Sequence, residues 1–345
     1  MVRLPTPVNS GGIPFLITMD TEGDNLWENS STVSTENASY LPRFQRLCES
    51  YALPPTWLTT YEMATCPIFI DLARDCISRN TAEVGAHLHA WDSPPFFDLT
   101  GNDRKHKPYL TEYPRQILDA KLRTLTEVIK DAFEITPRSH RAGRWSIDTS
   151  VVQLLCNLNY RVDCSVTPGV SWKHAHGAPN GNGGTDFSHC PREPYWMGTS
   201  SLETPGHTPL LQVPVSIVTA TATPASVARQ IAAKSISLVN PRYRHRRVKL
   251  RESHWLRPTR DNLRSMIAIL DQATHESWAC VEFMLHSSEL MPGGNANFPD
   301  NRAIEQLYDN IESLFTYANE HGFIGMTLEH FHRHHTMEIP NSDVA

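Results

Sequence analysis

The chain has 345 residues, of which 40% are apolar and 20% are charged, and its formal net charge is −6. This composition is typical of a soluble globular protein, and the acidic balance excludes a global basic field for nucleic acid. No run reaches the ~18 apolar residues of a membrane span. The scattered cysteines, without a CxxC pair, and an N-terminus without a signal-peptide core predict a cytoplasmic protein with reduced thiols.

The first half of the chain alternates short apolar runs with amphipathic segments. Strands are predicted at 14–20, 54–62, 82–91 and 139–145, and helices at 35–51, 68–79 and 114–133. The last of these helices has the clearest pattern, because its apolar residues fall along one stripe.

The second half continues this alternation around long irregular segments. Helices are predicted at 148–160, 224–239, 261–276, 301–321 and 329–335, and strands at 161–167, 210–218, 279–290 and 322–328. We expect one domain, 1–345, with loop-rich insertions at 168–200 and 236–260. Strands that alternate with helices indicate an α/β fold with a mostly parallel sheet.

Polar residues with catalytic chemistry stand where predicted strands end. Asp20, His87, His89, Arg141 and His286 each fall at such a strand exit. In parallel α/β folds, whether open sheet or barrel, functional sites collect at the carboxyl ends of the strands. We therefore expect these side chains to share one site.

His87 and His89 lie two residues apart on a predicted strand, so their side chains point to the same side, about 6–7 Å apart. Two imidazoles at that spacing can bind one ion, although two solvated surface histidines would show the same spacing. The position at a strand end, in a chain whose first strand ends in carboxylates, favours the ligand interpretation. A His–His–carboxylate set with an open position suits Zn²⁺ or another first-row metal.

Three acids, Asp20, Glu22 and Asp24, follow the first apolar strand. Like charges this close repel one another, so either a positive group lies among them or they form a solvated turn.

Six stretches of the chain resemble, in order, the motifs of the NodB-type polysaccharide deacetylases, carbohydrate esterase family 4: FLITMDTEGDNLW, EVGAHLHAW, HRAGRWSID, VDCSVTPG, EFMLHSSELMPGG and GFIGMTLEHF. The resemblance spans about residues 13–332 and is greatest to the divergent branch linked to lipopolysaccharide O-antigen biosynthesis. It implies a single catalytic domain, a distorted (β/α) barrel, a divalent metal, and hydrolysis of an N-acetyl or similar acyl group on a sugar.

The resemblance also implies roles for individual residues. Asp20 matches the catalytic base, and Arg141 matches the arginine that orients it, with Arg144 as the fallback. His286 matches the histidine that protonates the leaving amine, and Asp163 is expected to tune His286.

The first motif departs from the common family pattern, because Thr21 stands where a second aspartate is usual. The metal carboxylate is therefore expected to be Glu22, which leaves the strand on the same side as Asp20, or else Asp24.

The second motif departs as well. His87 matches its first histidine, Trp91 occupies the usual second position four residues on, and His89 is expected to substitute. Zn²⁺ is the metal that we expect, and Fe²⁺, Co²⁺, Mn²⁺ and Ni²⁺ are also compatible with these ligands.

Two further segments bear on the substrate. Residues 241–260 contain eight Lys or Arg and one acid, and this basic stretch has two interpretations. It is either a solvated surface or a patch that binds the phosphate of a phosphate-linked sugar. The glycine-rich loop that ends in aromatics is expected to cover the substrate, with Trp172, Tyr195 or Trp196 stacking on sugar faces.

The sequence thus predicts a hydrolase that removes an acetyl or formyl group from an amino sugar of a surface polysaccharide or its precursor. A metal would activate the attacking water, with Asp20 as base and His286 as acid. Two alternatives stay open: a carbohydrate-binding protein that has lost catalysis, and a hydrolase of another C–N bond, such as that of a cyclic amide, on the same scaffold.

Overall fold

The structure of the protein is a computed structural model that describes residues 11–28, 32–221 and 251–338. Within these ranges the strands are β1 (Pro14–Thr21), β2 (Pro55–Thr59), β3 (Glu83–Leu88), β4 (Ser139–Ala142), β5 (Val162–Asp163), β6 (Tyr195–Trp196), β7 (Leu211–Gln212), β8 (Ile217–Thr221), β9 (Arg251–Trp255), β10 (Val281–His286) and β11 (Ile324–Met326).

The helices of the described residues are α1 (Leu41–Ser50), α2 (Tyr61–Ala64), α3 (Pro67–Arg79), α4 (Asp103–His106), α5 (Arg115–Phe133), α6 (Thr149–Asn157), α7 (Leu263–Glu276), α8 (Asn301–Glu320) and α9 (Leu328–Glu338). Short 3₁₀ turns occupy Glu36–Tyr40, Leu110–Glu112, Gly143–Trp145 and Ser287–Leu290.

One curled, mostly parallel sheet organises the molecule. Its strands run in the order β10-β1-β2-β3-β4-β5-β7-β6, with β11 paired to the start of β1, and only the β6–β7 pair in this sheet is antiparallel. Strands β8 and β9 form a separate antiparallel pair. The helices cover the outside of the curl, so the expected distorted (β/α) barrel is confirmed in the form of a half-barrel.

The register of the sheet brings distant polar residues together. Asp20 of β1 lies opposite His286 of β10, and His87 of β3 lies opposite Arg141 of β4. Because all four strands run parallel, these residues meet at one edge of the sheet, as the sequence predicts.

The alternation of side chains along β1 divides its residues between two environments. Phe15, Ile17 and Met19 belong to the large core between the sheet and the outer helices. Leu16 belongs to a smaller cluster inside the curl, which Phe331 of α9 helps to fill. Thr18 and Asp20 share the face of Leu16, so β1 places its carboxylate inside the barrel.

All the predicted strands after the first are shorter than the apolar pattern suggests, and two of them differ in particular ways. The run 161–167 forms only the two residues of β5, and the run 210–218 divides into β7 and β8. Pro214 lies in that gap, where a residue without an N–H cannot continue a ladder. The predicted helix 224–239 and the first half of the basic stretch 241–260 lie outside the described residues. Across the described ranges, no helix is long and apolar enough to cross a membrane.

Candidate active site

A cavity of about 210 Å³ opens at the carboxyl ends of the central strands. Its ionisable lining residues include Asp20, Glu22, His87, His89, Arg144 and His286. Tryptophans and a tyrosine form much of the remaining wall: Trp27, Tyr109, Trp145 and Trp172. Most of the predicted site residues therefore line one cavity. Arg141 lies fully buried behind Asp20, and Asp24 and Trp196 are not among the lining residues.

Asp20 is buried, and its two carboxylate oxygens have different neighbours. Its Oδ1 accepts a hydrogen bond from Arg141 Nη1 at 2.5 Å, while Oδ2 faces His286 Nε2 at 3.6 Å and His87 Nε2 at 3.9 Å. Burial on its own would raise the pKa of Asp20, but Arg141, His87 and His286 outweigh it and lower the pKa below its usual value. The group is therefore ionised at neutral pH.

Arg141 serves two buried carboxylates. Besides Asp20, its Nη2 donates to Glu282 and to Thr18 Oγ1, the latter at 2.9 Å, and its Nε donates to the carbonyl of Cys164 at 3.0 Å. Both side chains of the second ion pair are fully buried. Glu282 thus binds one terminal nitrogen of the guanidinium while Asp20 binds the other, which fixes its orientation.

Replacing Arg141 with Met is expected to lower the free energy of unfolding by about 3–5 kcal/mol, because Asp20 and Glu282 lose their shared cation inside the protein. Urea unfolding followed by circular dichroism measures the loss. Arg43→Met is the control, because its pair with Glu305 is exposed and should contribute much less. Equal losses in the two variants would contradict this structural role.

Glu22, His87 and His89 form a buried group whose potential ligand atoms all lie within 4.8 Å of one another. Glu22 Oε2 lies 2.9 Å from His89 Nε2 and 3.6 Å from His87 Nε2. The two imidazole rings lie on the same side, as expected for residues i and i+2 of an extended segment, but their centroids are 4.6 Å apart, closer than the expected spacing.

The donor set fits a divalent cation. His87 Nδ1 donates to the carbonyl of Arg141 at 3.0 Å, which leaves the lone pair of a neutral His87 on Nε2. That lone pair faces the carboxylates of Asp20 and Glu22, an arrangement that a bound cation would satisfy. Burial lowers the pKa of His87, but these carboxylates outweigh it and raise the pKa, so the position favours positive charge.

His286 is held in one tautomer by its neighbours. Arg257 Nη2 lies 2.8 Å from His286 Nδ1 and also donates to Glu289 Oε1 at 2.8 Å. Because a guanidinium can only donate, Nδ1 must accept, and the proton of the neutral ring is on Nε2. That nitrogen points to Asp20 Oδ2 at 3.6 Å, inside the cavity.

No family model and no curated protein matches the chain, but solved structures share its fold at low identity. A provisionally named glycoside hydrolase/deacetylase from Parabacteroides distasonis is 13% identical, with a TM-score of 0.62 over 95% of this chain and 72% of its own. A provisionally named polysaccharide deacetylase from Mycobacterium smegmatis is 11% identical, with a TM-score of 0.51 over 99% and 97%. The chain has the polysaccharide deacetylase fold. Puue allantoinase shares it at 12% identity, with a TM-score of 0.51 over 99% and 96%.

Glu22 and Asp24, the two acids of the first motif that the sequence leaves as alternatives, have different contacts. Glu22 lies beside His87 and His89, whereas Asp24 is not among the residues that line the cavity. The chain turns after Glu22, where the N–H of Gly23 donates to Glu62 Oε1 at 2.8 Å. The strand alternation therefore extends as far as Glu22 and brings this residue to the histidines.

In the second motif, Trp91 occupies the position where the deacetylase pattern has a histidine, and aromatic side chains surround His89. Trp91 packs against the ring of His89, with 4.4 Å between centroids, and Trp27 lies against the same ring at 5.4 Å. Trp27 Nε1 also donates to Glu22 Oε1 at 2.8 Å, which leaves Oε2 directed at the histidines. Trp27 was not predicted as a site residue, although its position near the acids in TMDTEGDNLW is a usable signal.

Asp163, expected to tune His286, has another partner. Its Oδ1 lies 2.9 Å from His140 Nδ1 and accepts from Ser165 Oγ at 2.8 Å, and the side chain is fully buried. Arg257 and Glu289 contact His286 instead. This correction follows from register, because Asp163 pairs with His140 and therefore points to the opposite face of the sheet from Arg141.

The two predicted sugar-stacking tryptophans lie in different places. Trp172 lines the cavity, and its Nε1 donates to Thr167 Oγ1 at 2.9 Å. Trp196 is not among the cavity residues and packs against His332 of α9, with 5.6 Å between ring centroids. Its antiparallel strand β6 lies at the far edge of the sheet, away from β1.

Proposed function

We propose that the protein is a metal-dependent hydrolase that removes an acetyl or formyl group from the nitrogen of an amino sugar, in a surface polysaccharide or its precursor. One observation carries the proposal: a buried Glu22–His87–His89 group beside an ionised Asp20, in a cavity of the deacetylase fold. Metal ligands next to a separate carboxylate base suit hydrolysis of an amide.

Glu22, His87 and His89 would hold the divalent metal, and Zn²⁺ is the ion that this donor set favours. Such an ion would polarise the acyl carbonyl and make a water molecule more acidic. The hydrogen bond from His87 Nδ1 to the Arg141 carbonyl, and that from Trp27 to Glu22, orient two of the three ligands.

Asp20 takes the proton of the attacking water. Its Oδ2 faces the cavity while Arg141 holds Oδ1, so one oxygen is fixed and the other stays available. Because Arg141 also keeps the pKa of Asp20 low, the carboxylate is in its basic form at neutral pH.

His286 then gives a proton to the nitrogen that leaves. The ring does so from its imidazolium form, in which Nε2–H is directed at Asp20 Oδ2 and Nδ1–H faces Glu289 Oε2, each at 3.6 Å. After the transfer, the same nitrogen can receive the proton that Asp20 has taken from water. The two groups can thus restore each other at the end of each turnover.

Replacing Arg257 with Gln is expected to lower kcat by about tenfold or more with little change in KM, because Arg257 contacts both His286 and Glu289 and holds the ring with Nε2 directed at Asp20. Steady-state kinetics measure the change, and nitrogen NMR of the histidine ring reports the tautomer. Arg257→Lys retains a donor and should restore part of the rate. Unchanged kcat in the Gln variant with an altered tautomer would contradict the role of Arg257.

A panel of substrates tests the proposed reaction. Purified protein loaded with Zn²⁺ should release acetate or formate from N-acetyl or N-formyl amino sugars. A second candidate, hydrolysis of a cyclic amide, is favoured by the fold shared with Puue allantoinase, so the panel includes allantoin. Turnover of allantoin alone would favour the second candidate, and sugar binding without turnover of any compound would indicate a catalytically inactive binding protein.

A further inference from the structure

Arg144 is held on the cavity wall by an unusual turn. It follows β4 in the turn Gly143–Trp145, where Arg144 has φ 55° and Trp145 has φ 59°. Two consecutive non-glycine residues in the left-handed region are costly, and such conformations cluster at ligand sites. Both side chains line the cavity that contains Asp20.

The guanidinium of Arg144 has a fixed orientation. It lies over the ring of Tyr109, 3.9 Å from the centroid. Nη2 donates to the Tyr109 hydroxyl at 3.1 Å and to the carbonyl of His176 at 2.9 Å, and Nη1 donates to the carbonyl of Lys107. All of these acceptors are neutral oxygens, and they engage only part of the five N–H groups of an arginine.

Among the described residues, no acid forms an ion pair with Arg144. The other arginines near the site pair with carboxylates: Arg141 with Asp20 and Glu282, Arg257 with Glu289, and Arg104 with Asp92. No acidic side chain of the described residues lies within 4 Å of the Arg144 guanidinium.

The groups around Arg144 do not supply the missing negative charge. Glu112 is the acid that acts on it at longer range, and its carboxylate accepts from the backbone N–H groups of Tyr109 and Ala178. Lys107 adds a second positive charge, and its pKa is lowered by burial and by Arg144. Burial also lowers the pKa of Arg144 itself. The wall is therefore a half-buried positive region.

We propose that Arg144 binds an anionic group of the substrate, a phosphate or a carboxylate on the amino sugar. The inference rests on the proposed function, because Arg144 and Asp20 line the same cavity and one ligand would reach both. A stacked guanidinium with free N–H groups can bind a planar carboxylate or a tetrahedral phosphate. The ion pair between Arg144 and such an anion would form in a half-buried place, where water is partly excluded. Neutral sugars cannot offset this charge.

Binding of matched sugars tests the proposal. Fluorescence of the cavity tryptophans would follow N-acetylglucosamine, its 1-phosphate and the corresponding uronic acid, within seconds of mixing and before turnover. We expect at least one anionic sugar to bind about 10- to 100-fold more tightly than the neutral one. Whichever of the two anionic sugars binds more tightly shows whether Arg144 prefers a phosphate or a carboxylate.

Substitutions test whether Arg144 causes the preference for anionic sugars. Arg144→Gln should remove it while neutral-sugar binding persists, Arg144→Lys should retain part of it, and Arg104→Gln should leave it unchanged. Equal binding of neutral and anionic sugars by the native chain would overturn the proposal without any variant. A preference that survives in Arg144→Gln would overturn it as well.

Hydrolysis is measured separately on the same compounds. If none is hydrolysed while the Arg144-dependent preference holds, the proposed function fails and the anion site stands. If hydrolysis proceeds without the preference, only the anion site fails.

Discussion

In the Asp20→Asn protein, we expect hydrolysis of an N-acyl amino sugar to slow by about 10²–10⁴-fold while the metal content stays unchanged. Asn keeps the size of the side chain but cannot accept the proton of water. Glu282 still pairs with Arg141 in this variant, so the guanidinium is not left without a carboxylate. Acetate release and metal analysis on the same preparation measure the two quantities.

Asp24→Asn is the matched control for this change. It removes a nearby acid of the same first motif that lies outside the cavity, and it should retain the native rate. Undiminished turnover in Asp20→Asn, with a native circular dichroism spectrum, would remove Asp20 as the base.

The Glu22→Gln protein is expected to bind Zn²⁺ at least about 100-fold more weakly, because even the loss of an outer partner of a metal ligand costs 10–100-fold. Its hydrolysis should fall in parallel at limiting metal. The expectation rests on the 2.9 Å contact between Glu22 and His89 and on the burial of all three proposed ligands. Titration with Zn²⁺ against a competing chelator measures the affinity.

The same titration on Asp24→Asn decides between the two acids that the sequence leaves open. We expect native affinity, since Asp24 is separated from the histidines by the turn at Gly23. Weak binding in Asp24→Asn together with native binding in Glu22→Gln would reverse the assignment.

Much of the candidate site could be predicted because it depends on periodicity. Asp20 and Glu22 share a face by the two-residue alternation of a strand, and His87 and His89 do so by the same rule. The convergence of Asp20, His87, Arg141 and His286 follows from parallel strands whose carboxyl ends meet at one edge. These relations are local or topological, so an apolar pattern is enough to predict them.

Other features depend on contacts that no local pattern encodes. Arg257 lies after β9 and reaches His286 only because that strand pair packs beside β10. In the sequence, Glu282 is only one residue of a predicted strand, and its ion pair with Arg141 is seen only in the structure. Trp172 and Trp196 look equivalent in the sequence, yet one lines the cavity and the other packs on α9.

Hydrolysis and metal content measured together on one preparation bear directly on the proposed active site. We predict that chelation abolishes release of the acyl group and that about one equivalent of Zn²⁺ per chain restores it. Full activity in chelated protein that holds no metal by emission spectroscopy would contradict a metal-dependent hydrolase built on Glu22, His87 and His89.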